Sequence, residues 1–129
     1  MNTPVDLKYT KNDDWVRVEG NAATAGITDY AQDQLSDIVY LVLPAVGQTF
    51  HQGSRCGTVE SVKAASDLYL PVSGTITAVN DALGTAPEIV NTDPYGAGWM
   101  VKFTLANLAE LEGLMDAAAY QSYCEGRQK

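Results

Sequence analysis

The sequence predicts a mainly β fold: a small sandwich or barrel of short antiparallel strands, with a short helix in its N-terminal half and helices at its C-terminal end. Three observations carry this. Between Pro44 and Val79, short β-rich pieces alternate with the turn residues Gly47, Gly53, Gly57, Pro71 and Gly74, a spacing that suits a small all-β architecture. Ile38-Val39-Tyr40-Leu41-Val42-Leu43 is a continuous apolar run that stops at Pro44; its length and its β-branched and aromatic content read as a buried strand. After Leu105 the pattern turns helical.

The remaining elements follow in order. Trp15 to Glu19 reads as a strand ending at Gly20, and Ala22 to Gly26 as its return. Thr28 is placed to cap a helix from Asp29 to Leu35, with Asp29 favoured near its positive end. Asn91 to Gly98 is a loop by composition, and Trp99 to Leu105 alternates as the last strand. Asn107-Leu108-Ala109-Glu110 has the N-cap and N3 acid of a capping box. Leu108, Leu111, Leu114 and Met115 then share one helical face, read as core packing. Asp116 is placed to cap a second helix through Cys124, with Gly126 just beyond it. With no linker or low-complexity stretch, residues 1–129 read as one domain with a helical extension at about 107–125.

Composition narrows the function classes. A chain of 129 residues, 46% hydrophobic, is large enough to bury a real core. Sixteen acidic against eight basic residues give a net charge of −8. Phosphate backbones repel such a surface, so nucleic acid is an unfavourable partner. The charge reads first as solubility, and it also suits partners with basic docking faces. No apolar run approaches the roughly 18 residues of a membrane span. Met1 to Asp14 is polar, without a signal-peptide pattern. A cytoplasmic, monomeric protein is expected; a mature organellar protein would read the same. Cys56 and Cys124 lack metal-ligand spacing and read as reduced structural thiols. His51, the single histidine, reads as a solvated loop residue. No nucleophile–base pair and no metal cluster stands out, so neither a catalytic residue nor a metal is expected.

The informative stretch runs from Val59 to Gly74. It reads as two short strands with Lys63 between them, pointing into water. Ser61, Ala64, Ala65 and Ser66 are small and leave the amine accessible, while Glu60 and Asp67 bracket it with negative charge. By themselves these are features of an ordinary surface lysine.

The run Glu60-Ser61-Val62-Lys63-Ala64, followed by Ser66-Asp67 and Pro71-Val72-Ser73-Gly74, resembles a lipoyl hairpin. Glycines sixteen and ten residues before Lys63 and eleven after it (Gly47, Gly53, Gly74) resemble the wider biotinyl/lipoyl carrier fold, a lipoyl-type barrel-sandwich. From about residue 7 to residue 124 the chain is similar to the H proteins of the glycine cleavage system. The matching pieces are Leu7-Lys8-Tyr9, Trp15-Val16, Gly26 to Gln32, Leu43-Pro44 with Gly47, the lysine hairpin, and Asn91 to Trp99 with Pro94-Tyr95. One departure stands out. Asp13-Asp14 occupies the place of the family's usual His-Glu, which removes the histidine and shortens the acid by one methylene.

The resemblance implies a carrier and not an enzyme in its own right. Lys63 would hold lipoate covalently. The arm would accept an aminomethyl group when the pyridoxal-phosphate decarboxylase (P protein) acts on glycine. It would then present that group to the aminomethyltransferase (T protein) and be reoxidised by dihydrolipoyl dehydrogenase (L protein). Asp67 and Asp14 match acidic positions expected to contact the loaded arm, and Glu60 a position read by lipoate-attaching enzymes. The alternative is a lipoyl carrier or lipoate relay serving another complex. Biotinyl hairpins place methionines beside the lysine, whereas Val62 and Ala64 stand here.

Overall fold

Two antiparallel sheets face each other in the computed structural model, which describes residues 1–127. The strands are β1 (Lys8–Tyr9), β2 (Asp14–Glu19), β3 (Ala22–Ile27), β4 (Ile38–Val42), β5 (Thr49–Phe50), β6 (Arg55–Ser61), β7 (Ala65–Tyr69), β8 (Gly74–Val79) and β9 (Val101–Leu105). Six of them form one sheet in the order β1-β2-β3-β9-β8-β5, and β4-β6-β7 form the other. Four α-helical segments join them: α1 (Asp29–Leu35), α2 (Ala82–Thr85), α3 (Ile89–Thr92) and α4 (Ala117–Arg127), with a 3-10 helix at Leu108–Gly113. The mainly β expectation holds, as a sandwich whose sheets do not close into a barrel.

Alternation on β2 explains how two cores form. Successive strand side chains point to opposite faces. Val16 enters the main core between the sheets, with Ala25, Val59, Leu68, Ile76 and Phe103. Trp15 points the other way, into an aromatic cluster with Tyr9, Tyr30, Tyr95 and Tyr120. There Tyr9 and Tyr120 stack at 4.7 Å, and the Trp15 indole N–H donates to the Pro94 carbonyl at 3.1 Å. Tyr120 belongs to α4, so this second cluster fastens the C-terminal helix to the back of β1 and β2. Helix α1 begins where the sequence places it: the Thr28 hydroxyl accepts from Ala31 N at 3.2 Å.

Several expectations need correction. The run at Ile38 is a strand, but not a buried one: Ile38 is buried, whereas Val39, Tyr40 and Val42 are 50, 56 and 49% exposed. β4 is an edge strand, and the register shift between Ile38 and Tyr40 breaks the simple inward–outward alternation. The loop expected from Asn91 starts inside α3. Asn91 donates to Gln32 Oε1 and the Ser36 carbonyl, each at 2.9 Å, and accepts from Ile38 N at 2.9 Å. It therefore buttresses the junction between α1 and β4. The capping box does not form. Asn107 Oδ1 accepts from Ala109 N, but the Glu110 carboxylate turns away to accept from Ser73 N and Oγ at 2.8 and 2.9 Å. The leucine stripe sits on the 3-10 turn, where Leu111 and Leu114 pack on the main core and Leu108 stays 56% exposed. Met115 packs instead against the aromatic cluster. Asp116 does cap α4, accepting from Ala119 N at 2.8 Å, but the helix runs through Gly126 to Arg127.

Gly74 opens β8, paired with Leu105 of β9. A Cβ there would overlap the Thr104 carbonyl and come within 2.6 Å of the Phe103 ring. Gly74→Ala is expected to lower unfolding free energy by about 2–3 kcal/mol, read from the midpoint and slope of a urea titration.

Candidate functional site

The lysine hairpin is built by its own residues. β6 ends at Ser61 and β7 begins at Ala65, leaving Val62-Lys63-Ala64 as the tip. Ser61 N donates to the Ala64 carbonyl at 2.8 Å. The Ser61 hydroxyl accepts from Lys63 N and Ala64 N at 3.2 and 3.0 Å and donates back to the Ala64 carbonyl at 3.0 Å. One short side chain thus locks the turn. Val62 N donates to the Asp37 carbonyl at 3.0 Å, tying the tip to the segment before β4. Lys63 is exposed, and among the described residues its amine is in no hydrogen bond or ion pair.

The acids bracketing Lys63 in sequence do not engage it. Glu60 is exposed on β6, opposite Ala65. Asp67 lies 3.6 Å from the Arg55 guanidinium and accepts from the Tyr69 hydroxyl at 3.4 Å.

Down β7 from the lysine a cleft of about 130 Å³ opens. Ile27, Ala31 and Leu35 give it an apolar wall, and Ser66 and Asp67 form the side nearest Lys63. Asn12, Asp13 and Arg127 complete it. Ser66 follows Lys63 by three residues, just past the turn and one residue into β7. An accessible amine and a half-apolar cleft with carboxylates at its rim together fit a long, flexible acyl group on Lys63 carrying a cationic end.

Asp13 and Asp14 are adjacent and differ completely. Asp13 adopts φ 65°, the left-handed region that aspartate tolerates better than most residues. Its Oδ1 accepts from Tyr120 Oη and Arg127 Nη1, both at 2.8 Å, and its Oδ2 from Arg127 Nη2 at 2.8 Å. Tyr120 has one hydroxyl proton and gives it to Asp13, so the Thr28 hydroxyl, 2.7 Å away, is the donor to Tyr120. Asp14 is 0% exposed and shares the inward face of β2 with Val16. Burial pushes its carboxyl well above the usual carboxylate range; a 3.3 Å bond from Thr10 Oγ1 opposes this, Asp13 adds to it, and the Tyr69 backbone opposes it further. Its Oδ1 has no partner within good hydrogen-bond geometry. Of the two acids expected to meet the arm, Asp67 lines the cleft and Asp14 lies inside the sandwich. The departure at Asp13-Asp14 points to this place, but nothing local marks Asp13 as a cleft residue or Arg127 as its partner, since 114 residues separate the pair.

Both cysteines are free and buried, as expected. Burial, with Asp14 nearby, pushes the Cys56 thiol up to about 12, and burial raises Cys124 as well. Both therefore stay poor nucleophiles at neutral pH. His51 is exposed in its turn, and the described residues contain no metal-binding cluster.

Comparison with known proteins agrees along nearly the whole chain. The family model described as "Glycine cleavage H-protein" matches residues 7–127. A glycine cleavage system H protein of Symbiobacterium thermophilum is 53% identical over 122 residues, covering 95% of each chain. One of Bacteroides thetaiotaomicron is 51% identical over 126 residues, covering 98% of this chain and all of the relative. The crystal structure of a glycine cleavage system H protein from Mycobacterium marinum superposes with a TM-score of 0.86 at 37% identity, over 93% of this chain and 97% of that one.

The burial of Asp14 has a pH consequence. A carboxyl whose folded pKa is raised binds its proton more tightly in the native state. Its folded form is therefore favoured below the unfolded pKa of about 3.9 and loses that advantage as pH rises. Asp14→Asn, which removes the ionisation, is expected to change Tm little near pH 4. The same variant should raise Tm near neutrality, where the wild-type carboxyl is disfavoured by its burial; thermal melts across that range check it.

Proposed function

The chain belongs to the glycine cleavage H-protein family, and from that premise we propose that it is the lipoyl carrier of a glycine cleavage system, with Lys63 as the attachment point. The observation that carries this reading is the uncommitted lysine at the tip of a Ser61-locked hairpin, beside a cleft that is apolar on one side and acidic on another. Bound at Lys63, lipoate would supply the dithiol–disulfide chemistry by which a carrier serves the decarboxylase, the aminomethyltransferase and dihydrolipoyl dehydrogenase. The protein acts as a component of that system and not as an enzyme in its own right.

Each side chain has a physical task. Ser61 fixes the turn, so the Lys63 amine projects from a defined point. Because no ion pair holds that amine among the described residues, a lipoate-attaching enzyme meets no competing partner. Glu60, exposed on β6 next to the turn, offers such an enzyme a charge to read. Within the cleft, Asp67 holds the amine of the carried group by a charge-assisted hydrogen bond. Ile27, Ala31 and Leu35 exclude the water that would release it. Asp14 contacts the arm only where the sandwich parts to admit it, because it is fully enclosed.

The net charge of −8 suits enzymes whose docking faces are basic, and long-range attraction of this kind speeds encounter. Among the described residues no helix is long and apolar enough to cross a membrane. We place the protein in the cytoplasm as a monomer that visits its three enzymes in turn.

Protein from lipoate-replete cells is expected to carry one lipoyl group by intact mass, absent from Lys63→Ala; unmodified protein in the presence of a competent ligase overturns the reading. Glycine–bicarbonate exchange with the decarboxylase should depend on that modification, which separates this system from another lipoyl-using complex. Asp67→Asn is expected to speed loss of ammonia and formaldehyde from the loaded carrier by about five-fold, and an unchanged rate removes Asp67 from the role.

A further inference from the structure

The acid pair that departs from the family pattern places a second carboxylate at the cleft, already occupied by a cation. We infer that Asp13 is a cation-binding residue of the cleft, with Arg127 as its resident counter-ion, and that the amine of the carried aminomethyl group displaces Arg127 when the loaded arm docks. This rests on the carrier function proposed above.

Asp13 is held without help from Arg127. Its N–H donates to the Thr10 carbonyl at 3.2 Å and its carbonyl accepts from Thr28 N at 2.9 Å. Tyr120 fixes Oδ1 at 2.8 Å and is itself fixed by Thr28 and by stacking on Tyr9. The carboxylate therefore keeps its place when the guanidinium leaves, and a preorganised acceptor needs little reordering to take a new donor.

Arg127 is held more loosely. It is the last described residue of α4, its side chain is 31% exposed, and it makes a two-pronged pair with Asp13. Its guanidinium lies 4.3 Å from the Tyr30 ring and 4.7 Å from that of Tyr123. Those rings can retain the cation beside the cleft after it releases Asp13. A helix end opens at little cost. The pair is bidentate and well formed, yet water reaches the guanidinium, so an incoming cation can replace it without leaving a bare buried charge.

The exchange balances charge. The cleft presents Asp13 and Asp67, with Arg127 on the first and Arg55 at 3.6 Å from the second. Adding a cationic amine with Arg127 in place would crowd two cations around one carboxylate; replacing Arg127 leaves the charge at Asp13 unchanged. An ammonium offers compact donors where guanidinium offers a planar fork, and a carboxylate accepts either. An arm that has lost its amine has nothing to offer Asp13, so Arg127 returns and the cleft favours the loaded arm over the emptied one.

The test uses lipoylated, full-length protein loaded through the decarboxylase with glycine, with loading confirmed by mass. The Arg127 Nε–H resonance should exchange slowly in the empty carrier, then shift and exchange faster on loading. Asp13→Asn keeps a residue suited to positive φ and removes the charge. It should abolish that loading-dependent shift and speed ammonia release about five-fold; Arg127→Gln should slow release by about two- to five-fold. The double variant should release at the rate of Asp13→Asn alone, because Arg127 acts only through that carboxylate. An Arg127 resonance indifferent to loading, or an Arg127→Gln effect that persists without the Asp13 charge, overturns the exchange. Protein that takes up no lipoyl group or no cargo overturns the carrier reading, and the exchange with it.

Discussion

The Tyr120 hydroxyl is the point on which the cleft depends. It receives a hydrogen bond from Thr28 and gives one to Asp13, joining residues 92 and 107 positions away along the chain. Thr28 is also the N-cap of α1, and Asp13 immediately precedes β2. The same ring stacks on Tyr9 of β1. Three walls of the cleft are thereby registered against one buried polar atom: the apolar face of α1, the Asn12–Asp13 turn and the end of α4. Burial raises the Tyr120 phenol above its ordinary range, so it stays a neutral donor. A satisfied network of this kind fixes geometry more sharply than apolar packing, because a shift of any member leaves a buried partner without its bond.

The two adjacent aspartates show how little separates a buried acid from one that lines a cleft. Strand alternation sends Asp14 inward with Val16, where an apolar environment disfavours its charge. The positive φ at Asp13 turns that side chain to the cleft, where Arg127 and Tyr120 satisfy its oxygens. One carboxylate is thus enclosed in the sandwich, while its neighbour lies at the cleft paired with an arginine 114 residues away.

Attachment and protection are built on different length scales. The lysine tip needs only Ser61, three backbone groups and the strands on either side. It forms wherever β6 and β7 pair, which suits a site that a separate enzyme must find and modify. The cleft beside that tip is assembled from the β1–β2 turn, α1, β7 and α4. It exists only once the second, aromatic core has closed. A carrier needs both: an arm free enough to visit partner enzymes, and a pocket whose grip can be released.

Much of what depends on neighbours a few positions apart was legible in the sequence, although the short helices α2 and α3 were not. Thr28 and Ala31 define the start of α1, Trp15 to Ile27 form the first hairpin, Ser61 to Ala65 present the lysine, and Asp116 caps α4, because caps, turns and alternation act over one to five residues. The family resemblance was legible for the same reason, resting on short runs of contiguous residues. What only the tertiary structure decided depends on distant partners. The exposure of β4 follows from its place at a sheet edge, which its own apolar composition does not reveal. Glu110 left its expected cap for Ser73, 37 residues away, and Asn91 left its expected loop to brace α1. The Asp13–Arg127 pair spans 114 residues. Contacts at such separations leave no periodicity in the chain, since folding brings their partners together through the packing of everything between them.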